Sequence, residues 1–248
     1  MIRVVDLHKS FGRQHVLRGV NLELEAGQIT TIIGGSGSGK TVLLKHLNAL
    51  LVPDRGNVFV GDRDITKLSQ SALNEVRRKF GVLFQGAALL DSMTIYDNVA
   101  FPLRETTRLK EPEIEKKVNE SLAQVGLAGA GYKFPAEVSG GMKKRAGLAR
   151  ALVIRPEIML FDEPTTGLDP LLGKSIHQLI RKMHATYSFT GVIVSHDIPE
   201  VFEISDRIAM LADGVIIEAG TTEEFLASQN PVVKQFIHGE TEGPIAVL

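Results

Sequence analysis

The chain has 248 residues, and its 28 lysine and arginine residues against 29 aspartate and glutamate residues give a formal net charge of −1. Hydrophobic residues make up 44% and charged residues 23% of the chain, as in folded globular domains and unlike disordered ones. The near-neutral charge disfavours a non-specific nucleic-acid binder. Because there is no cysteine, disulfides, thiolate catalysis and thiolate metal sites are excluded. No run approaches the roughly 18 apolar residues that a membrane-spanning helix needs.

Short β-branched runs alternate with helical patterns along the chain, which predicts a mostly parallel sheet covered by helices on both faces. The N-terminal part instead predicts short antiparallel strands, over Ile2–Leu7, Val20–Leu24 and Val58–Val60. The strands predicted for the parallel core are Gln28–Ile33, Val82–Phe84, Ile158–Phe161, Val192–Ser195 and Ile208–Leu211.

A glycine-rich segment follows the predicted strand Gln28–Ile33 and precedes a helical run that begins at Val42. Its residues are Gly34, Gly35, Ser36, Gly37, Ser38, Gly39, Lys40 and Thr41, which match G-x-x-x-x-G-K-[ST]. Glycines let the backbone wrap around phosphates with its N–H groups pointing inward, and the following helix adds the positive end of its dipole. We therefore expect Lys40 to reach the β- and γ-phosphates of a nucleotide, as a catalytic as well as a binding residue, and the Thr41 hydroxyl to bind Mg²⁺.

The region from about Gly86 to Arg155 contains no good strand pattern and several helical ones. Pro112 suits the start of a helix whose apolar face is formed by Ile114, Val118, Leu122 and Val125. We interpret residues 86–155 as a helical subdomain inserted between two core strands.

Two acids end the apolar strand Ile158–Phe161. Asp162 lies where a strand-end carboxylate can hold the Mg²⁺ shell, and Glu163 can polarise the attacking water as general base. Neighbouring residues of a strand point in different directions, so the two acids can take two roles. Further along, Asp213-Gly214 predicts a tight hairpin turn, because a type I′ turn needs positive φ at both central positions.

These motifs, in this order, resemble the ATPase subunits of ABC (ATP-binding cassette) proteins. The tract Val138-Ser139-Gly140-Gly141-Met142-Lys143 resembles the family's signature loop, although Met142 stands where the family usually has Gln. Ser139 is a good helix N-cap, and a helix N-terminus can bind an anion. The resemblance implies that Ser139, Gly140 and Gly141 clamp the γ-phosphate of the ATP held by a second subunit.

Four further elements of the chain resemble elements of this family, and the resemblance implies their roles. Leu83-Phe84-Gln85 is similar to the Q-loop, whose Gln coordinates Mg²⁺, and Gly167-Leu168-Asp169 is similar to the D-loop, which communicates across the dimer. His196, in Val194-Ser195-His196-Asp197, resembles the switch histidine, a catalytic residue that contacts the γ-phosphate and orients Glu163. Phe11 resembles the aromatic residue that stacks on adenine, with Val16 packing nearby.

The resemblance covers almost the whole chain and implies an α/β fold, a P-loop NTPase of ABC type. Such a fold has a RecA-like, mostly parallel core with an N-terminal antiparallel β-subdomain and an inserted helical subdomain. We expect one ATPase domain over residues 1–238 and a short tail over residues 239–248. The expected cofactors are ATP and Mg²⁺, and the expected mechanism is head-to-tail dimerisation on ATP, with opening after hydrolysis.

Transport is favoured over the soluble ABC ATPases of translation or DNA repair, because the chain has one cassette and no sustained heptads. The tract from Gln85 to Glu105 is rich in small and apolar residues, which suits docking of a permease helix. This tract, the sequence Ser139–Ala151 and the C-terminal Gln235–Gly239 followed by Glu242-Gly243-Pro244 resemble the ATPases of the Mla (maintenance of lipid asymmetry) type. For the polar tail, disorder and a reach over the dimer partner both remain open.

That resemblance implies phospholipid transport between the inner and outer membranes of a diderm bacterium, powered from the cytoplasmic face of the inner membrane. It implies an integral membrane permease, an MCE-domain substrate-binding protein and a small STAS-domain partner, and no nucleic acid. The alternative is the ATPase subunit of an importer for a polar solute such as an amino acid, because such subunits share every residue of the ATP site.

Overall fold

The computed structural model describes residues 1–245, and the predicted tail residues Ala246–Leu248 lie outside this range. The chain divides into two compact units. The first consists of residues 1–77 together with the chain from Thr190 onward, and the second of residues 78–189. Among the described residues, no helix has both the length and the apolar character that crossing a bilayer requires.

The strands of the described chain are β1 (Ile2–Phe11), β2 (Gln14–Leu24), β3 (Ile29–Ile33), β4 (Arg55–Val60), β5 (Arg63–Asp64), β6 (Phe80–Leu83), β7 (Ile158–Asp162), β8 (Thr190–Val194), β9 (Arg207–Ala212) and β10 (Val215–Thr221). The helices are α1 (Lys40–Leu47), α2 (Gln70–Arg77), α3 (Ile95–Thr106), α4 (Glu111–Gln124), α5 (Gly140–Leu152), α6 (Pro170–Tyr187), α7 (Thr222–Leu226) and α8 (Pro231–His238). Short 3₁₀ turns lie at Pro135–Glu137 and Glu200–Glu203.

An antiparallel sheet in the order β2-β1-β4-β5 forms one layer of the first unit, as the sequence predicts for the N-terminal part. The predicted strand Val20–Leu24 is too short, because β2 begins at Gln14, directly opposite Phe11. Gly12 has a φ of 59°, a left-handed value that lets the chain reverse within two residues. The hairpin therefore places Phe11 at the end of β1, next to a tight turn.

The parallel layer of the first unit is built from β3, which pairs in parallel with β8 on one side and β9 on the other. Every residue of β3 and β8 is buried, as expected for strands covered on both faces. Strand β10 adds an antiparallel edge through the Asp213-Gly214 turn, where both residues have positive φ, 49° and 79°. The predicted hairpin is confirmed.

The second unit carries two parallel strands and the long helices between and after them. Strands β6 and β7 pair from Phe80 opposite Ile158 to Leu83 opposite Phe161. The predicted strand Val82–Phe84 therefore begins two residues too late, and Phe84 lies beyond the paired residues. Between β6 and β7 the chain forms α3, α4 and α5, and Pro112 lies in the first turn of α4 as predicted. The domain limits at 86–155 and 1–238 remain predictions.

The C-terminal segment packs back onto the first unit. Helix α8 lies against an apolar cluster that includes Met210 and Phe225. The buried Gln235 side chain donates to the carbonyl oxygens of Glu240 and Ile245, at 3.2 and 3.0 Å, and accepts from the Ile245 N–H at 2.7 Å. The chain from Gly239 to Ile245 is therefore held against its own helix α8.

Candidate nucleotide site

The glycine-rich loop connects β3 to α1 within the first unit. A Cβ on Gly34 would lie 2.2 Å from the carbonyl oxygen of Leu211, so that position admits no side chain. Gly39 has a φ of 101° and caps α1 in the left-handed region, which favours glycine. The loop residues Gly35, Ser36, Gly37 and Ser38 lie between these two positions. Close packing and backbone conformation together explain why this loop needs glycine at its two ends.

Lys40 opens α1 and turns its side chain back into the loop. Its buried ammonium group donates to the carbonyl oxygens of Gly34 at 2.8 Å and Gly35 at 3.0 Å. Thr41 and Val42 follow in the first turn of α1, at the positive end of the helix dipole. A cation and the N–H groups of one helix N-terminus form a site suited to phosphate.

Phe11 and Val16, the predicted adenine contacts, lie in the same unit as the loop. A Cβ on Gly39 would lie only 2.8 Å from Cγ1 of Val16, so Val16 packs directly against the loop. Phe11 remains 47% exposed, with the ammonium group of Lys9 5.5 Å from the ring centroid. An exposed aromatic face at the end of β1 is available for stacking.

We expect Phe11→Ala to raise the Kd for ATP about tenfold, because base–aromatic stacking contributes roughly 1–3 kcal/mol per base. Titration of each variant with a fluorescent ATP analogue measures this effect. Phe11→Tyr, which keeps the ring, is the matched control and should bind as the natural protein does. An unchanged Kd in the alanine variant would assign Phe11 to the β-sheet surface instead.

The structure brings His196 to the same cavity as the phosphate loop. This cavity of about 740 Å³ is lined by Gly34, Gly35 and Ser36 of the loop, by His196, and by the C-terminal segment from Gln235 to Thr241. The Ser195 hydroxyl accepts from the Asp197 N–H at 3.0 Å, which shapes the turn that carries His196.

The predicted strand Val192–Ser195 is wrong at its end, since β8 stops at Val194 and leaves Ser195 in this turn.

The strand-end acids lie in the second unit. Asp162 is the last residue of β7 and is buried, whereas Glu163 follows it with a φ of 46°. One Glu163 carboxylate oxygen, Oε2, accepts from the Thr166 hydroxyl at 2.8 Å and from the Gln85 amide nitrogen at 3.5 Å. Gln85 and Glu163, which are far apart in sequence, are therefore neighbours in this unit.

Three residues that contact Glu163, Gln85 or the turn after Gln85 were not predicted from the sequence. Thr166 orients Glu163, and Lys144 donates to backbone carbonyl oxygens of both Gln85 and Glu163. Arg150 donates to the carbonyl oxygens of Ala87 and Ala88. Thr166 lies three residues after Glu163, and this spacing could have indicated the contact between the two side chains. No sequence signal indicated the contacts of Lys144 and Arg150.

Ser139 caps α5 as predicted, with its hydroxyl oxygen accepting from the Met142 N–H at 3.3 Å. Gly140 and Gly141 form the first turn of α5, and Gly140 lies beside Leu168, where a Cβ would stand 3.5 Å from its Cδ2. Asp169 caps α6 and accepts from the N–H groups of Leu171 and Leu172, both at 3.0 Å. The tracts that resemble the signature loop and the D-loop are therefore adjacent within the second unit.

Known proteins match this chain over nearly its full length. A protein-family model described as "ABC transporter" matches residues 17–166. A relative from Mycobacterium tuberculosis, named "Probable ribonucleotide transport ATP-binding protein mkl", is 47% identical over 99% of this chain and 68% of its own length. The Haemophilus influenzae protein named "Intermembrane phospholipid transport system ATP-binding protein MlaF" is 42% identical over 99% of this chain and 93% of its own length.

Among solved structures, the ADP- and phosphate-bound dimer of the ATP-binding cassette MJ0796 superposes with a TM-score of 0.82. It is 32% identical to this chain, and the alignment covers 90% of this chain and 99% of the other. The predicted α/β fold of ABC type is therefore confirmed. The chain belongs to the ABC transporter family, and it is an ATPase that carries the family's ATP-binding cassette.

Proposed function

We propose that this chain is the ATP-hydrolysing subunit of a transporter that moves phospholipid between the inner and outer membranes of a diderm bacterium. The observation that carries this proposal is its 42% identity to a protein named for intermembrane phospholipid transport, over 93% of that protein's length. Its partners would be an integral membrane permease, an MCE-domain substrate-binding protein and a small STAS-domain protein. The subunit would be peripheral, at the cytoplasmic face of the inner membrane.

The residues support a mechanism of positioning and electrostatic stabilisation. Lys40 and the loop amides would hold the phosphates, and Glu163 would accept a proton from the attacking water while the bond between the γ-phosphorus and the ADP oxygen breaks. His196 would hold the γ-phosphate. Two copies would face each other head to tail, with Ser139, Gly140 and Gly141 of one contacting the ATP of the other, and Asp169 beside that contact.

The donor chemistry fits Mg²⁺. Thr41, Gln85 and Asp162 offer a hydroxyl, an amide oxygen and a carboxylate, which are the hard oxygen ligands that Mg²⁺ prefers alongside phosphate. When bound, Mg²⁺ would neutralise charge on the phosphates.

The tract from Gln85 to Glu105 is where we propose that the permease docks. Leu90 and Phe101 within this tract expose large apolar side chains, at 42% and 40%. Contiguous exposed apolar patches are typical of protein–protein interaction sites, so Leu90 and Phe101 are the side chains on which this docking proposal is tested.

A polar-solute importer remains the second candidate, because the Mycobacterium tuberculosis relative is named for ribonucleotide transport. That alignment spans only 68% of the relative's length, whereas the alignment to the phospholipid-transport protein spans 93%. Both alignments cover 99% of this chain, and the greater share of the relative's own length that is matched favours the lipid candidate.

The test is a gentle detergent purification of the native complex, with its proteins and bound lipids identified by mass spectrometry. An unrelated inner-membrane permease purified in the same way gives the background of lipid per permease. Recovery of a permease and an MCE-domain protein with phospholipid above that background supports the proposal. Recovery of a solute-binding protein without extra lipid favours the importer, and ribosomal proteins without a permease would overturn the transporter assignment.

The docking tract can be tested in the same experiment. Phe101→Asp should lose the permease while retaining ATP binding. Val52→Asp, which places the same charge at an exposed apolar position outside the tract, should retain both.

A further inference from the structure

Helix α5 carries a buried lysine, Lys144, whose ammonium group contacts both Gln85 and Glu163. Lys144 is only 5% exposed, although lysine is rarely buried without partners. Its ammonium group donates to the carbonyl oxygen of Gln85 through a short contact and to that of Glu163 at 3.3 Å. One side chain therefore joins the backbones of the residues proposed as Mg²⁺ ligand and as general base.

The Glu163 backbone needs such support. Its φ of 46° lies in the left-handed region, which is unfavourable for a non-glycine residue. Such a conformation persists only where surrounding contacts impose it. The Lys144 contact to its carbonyl oxygen and the Thr166 contact to its carboxylate hold this residue from both ends. Lys144 and Thr166 are therefore among the contacts that hold Glu163 in this conformation.

A second cation on α5 holds the next part of the same loop. The guanidinium group of Arg150 donates to the carbonyl oxygens of Ala87 and Ala88, each at 2.6 Å. Both alanines have left-handed φ values, 61° and 47°, and burial lowers the pKa of Arg150. A planar fork bound to two successive carbonyl oxygens fixes this strained turn.

Close packing leaves little freedom between these two anchors. Gly147 lies on α5 between Lys144 and Arg150, and a Cβ there would stand 2.9 Å from Cδ1 of Leu83 and 3.2 Å from Cβ of Ala87. The helix backbone therefore rests directly on the end of β6 and on the start of the tract from Gln85 to Glu105. Movement of this segment must be accompanied by movement of α5 or by loss of these contacts.

We propose that Lys144 is a positioning residue for ATP hydrolysis, which orients Gln85 and Glu163 through their backbone carbonyl oxygens. Arg150 holds the adjoining turn, so that α5 links Ser139 at its N-terminus to the general base. This inference rests on the proposed role of Glu163. It assigns to Lys144 an effect on turnover, beyond any contribution to folding.

The test compares Lys144→Met, which keeps the length of the side chain and removes the charge, with Lys144→Arg, which keeps the charge. Lys116→Met, at an exposed position of α4 in the same unit, is the matched control. For Lys144→Met we expect kcat to fall about 10- to 100-fold, as when a partner that orients a metal or catalytic ligand is lost. The KM and Kd for ATP should stay within about twofold of the natural protein's values, because the substitution removes no contact that binds the nucleotide equally in the ground state and the transition state.

Two further measurements separate positioning from folding. Hydrogen exchange of the free protein should speed up at residues 85–88 and 163–166 in Lys144→Met and remain unchanged in α4. Lys144→Arg should have a measurably higher kcat than Lys144→Met, although the two variants should have the same melting temperature. If Lys144→Met proves insoluble, Lys144→Leu, which also removes the donor, takes its place and must show the same fall in kcat.

Lys144→Met turnover within about twofold of the natural protein would overturn the inference. A fall in kcat that only matches a fall in folded fraction would overturn it as well. Glu163→Gln, measured in parallel, separates the proposed role of Glu163 from the proposed role of Lys144. If Glu163→Gln hydrolyses ATP normally, the proposed role of Glu163 fails, whereas slow Glu163→Gln with fast Lys144→Met refutes only the role of Lys144.

Discussion

The Glu163→Gln variant should bind ATP with unchanged affinity and hydrolyse it roughly 10²- to 10⁴-fold more slowly, the contribution of a positioned general base. An amide has the size of the carboxylate and can still accept the hydrogen bond from Thr166, which measures 2.8 Å in the structure. It cannot take a proton from the attacking water. Because hydrolysis would remove the phosphate that joins the two subunits, the variant should also accumulate as an ATP-bound dimer.

Phosphate release in a single turnover measures the first effect, and gel filtration with ATP and Mg²⁺ measures the second. Glu157→Gln is the control, because Glu157 is an exposed acid that lies before β7 and pairs with Lys79 at 2.9 Å. That variant should hydrolyse ATP normally. Natural turnover in Glu163→Gln would rule out Glu163 as the base.

The Lys40→Ala variant should lose about 100-fold in ATP affinity, since a hydrogen bond to a charged group contributes roughly 1.5–3 kcal/mol and a phosphate loses its nearest cation. The Lys40 ammonium already lies inside the loop, held by the Gly34 and Gly35 carbonyl oxygens. Removing it also leaves those two oxygens without their donor. We therefore expect weaker binding together with undetectable hydrolysis.

Calorimetric titration with ATP measures the affinity directly. Lys45→Ala is the matched control, because Lys45 lies on the same helix and is exposed. It removes the same charge from α1 without touching the loop, and its affinity should be unchanged. Equal affinities in the two variants would show that Lys40 does not contact the nucleotide.

Local sequence determined much of the framework that these predictions use. The glycine spacing before Lys40 predicted a loop between a strand and a helix, and β3 and α1 flank it. Ser139 is predicted as an N-cap because serine favours that position at a helix start, and its hydroxyl oxygen accepts from the Met142 N–H. Asp213-Gly214 predicted a hairpin that the φ values confirm. Each of these features depends on backbone preferences within a few residues, which the sequence displays directly.

Strand limits were predicted less well, because pairing decides where a strand ends. An apolar run suggested a strand over Val82–Phe84, but β6 covers Phe80–Leu83, opposite Ile158–Phe161. In the same way, β2 extends back to Gln14 because Phe11 lies opposite it. Hydrogen bonds to a partner strand extend a strand over residues whose own side chains give no periodic signal.

Sequence patterns alone predict the fold class, the glycine-rich loop and the two acids at the end of β7, Asp162 and Glu163. The folded chain is needed to show which groups meet around them. Lys144 contacts Gln85 and Glu163, and Gln235 holds the chain at Ile245, through hydrogen bonds to backbone carbonyl oxygens. Every residue carries such an oxygen, so no side-chain pattern marks the partner in advance. The physical reason is that a buried cation or amide must be satisfied by whatever acceptors the fold brings to it.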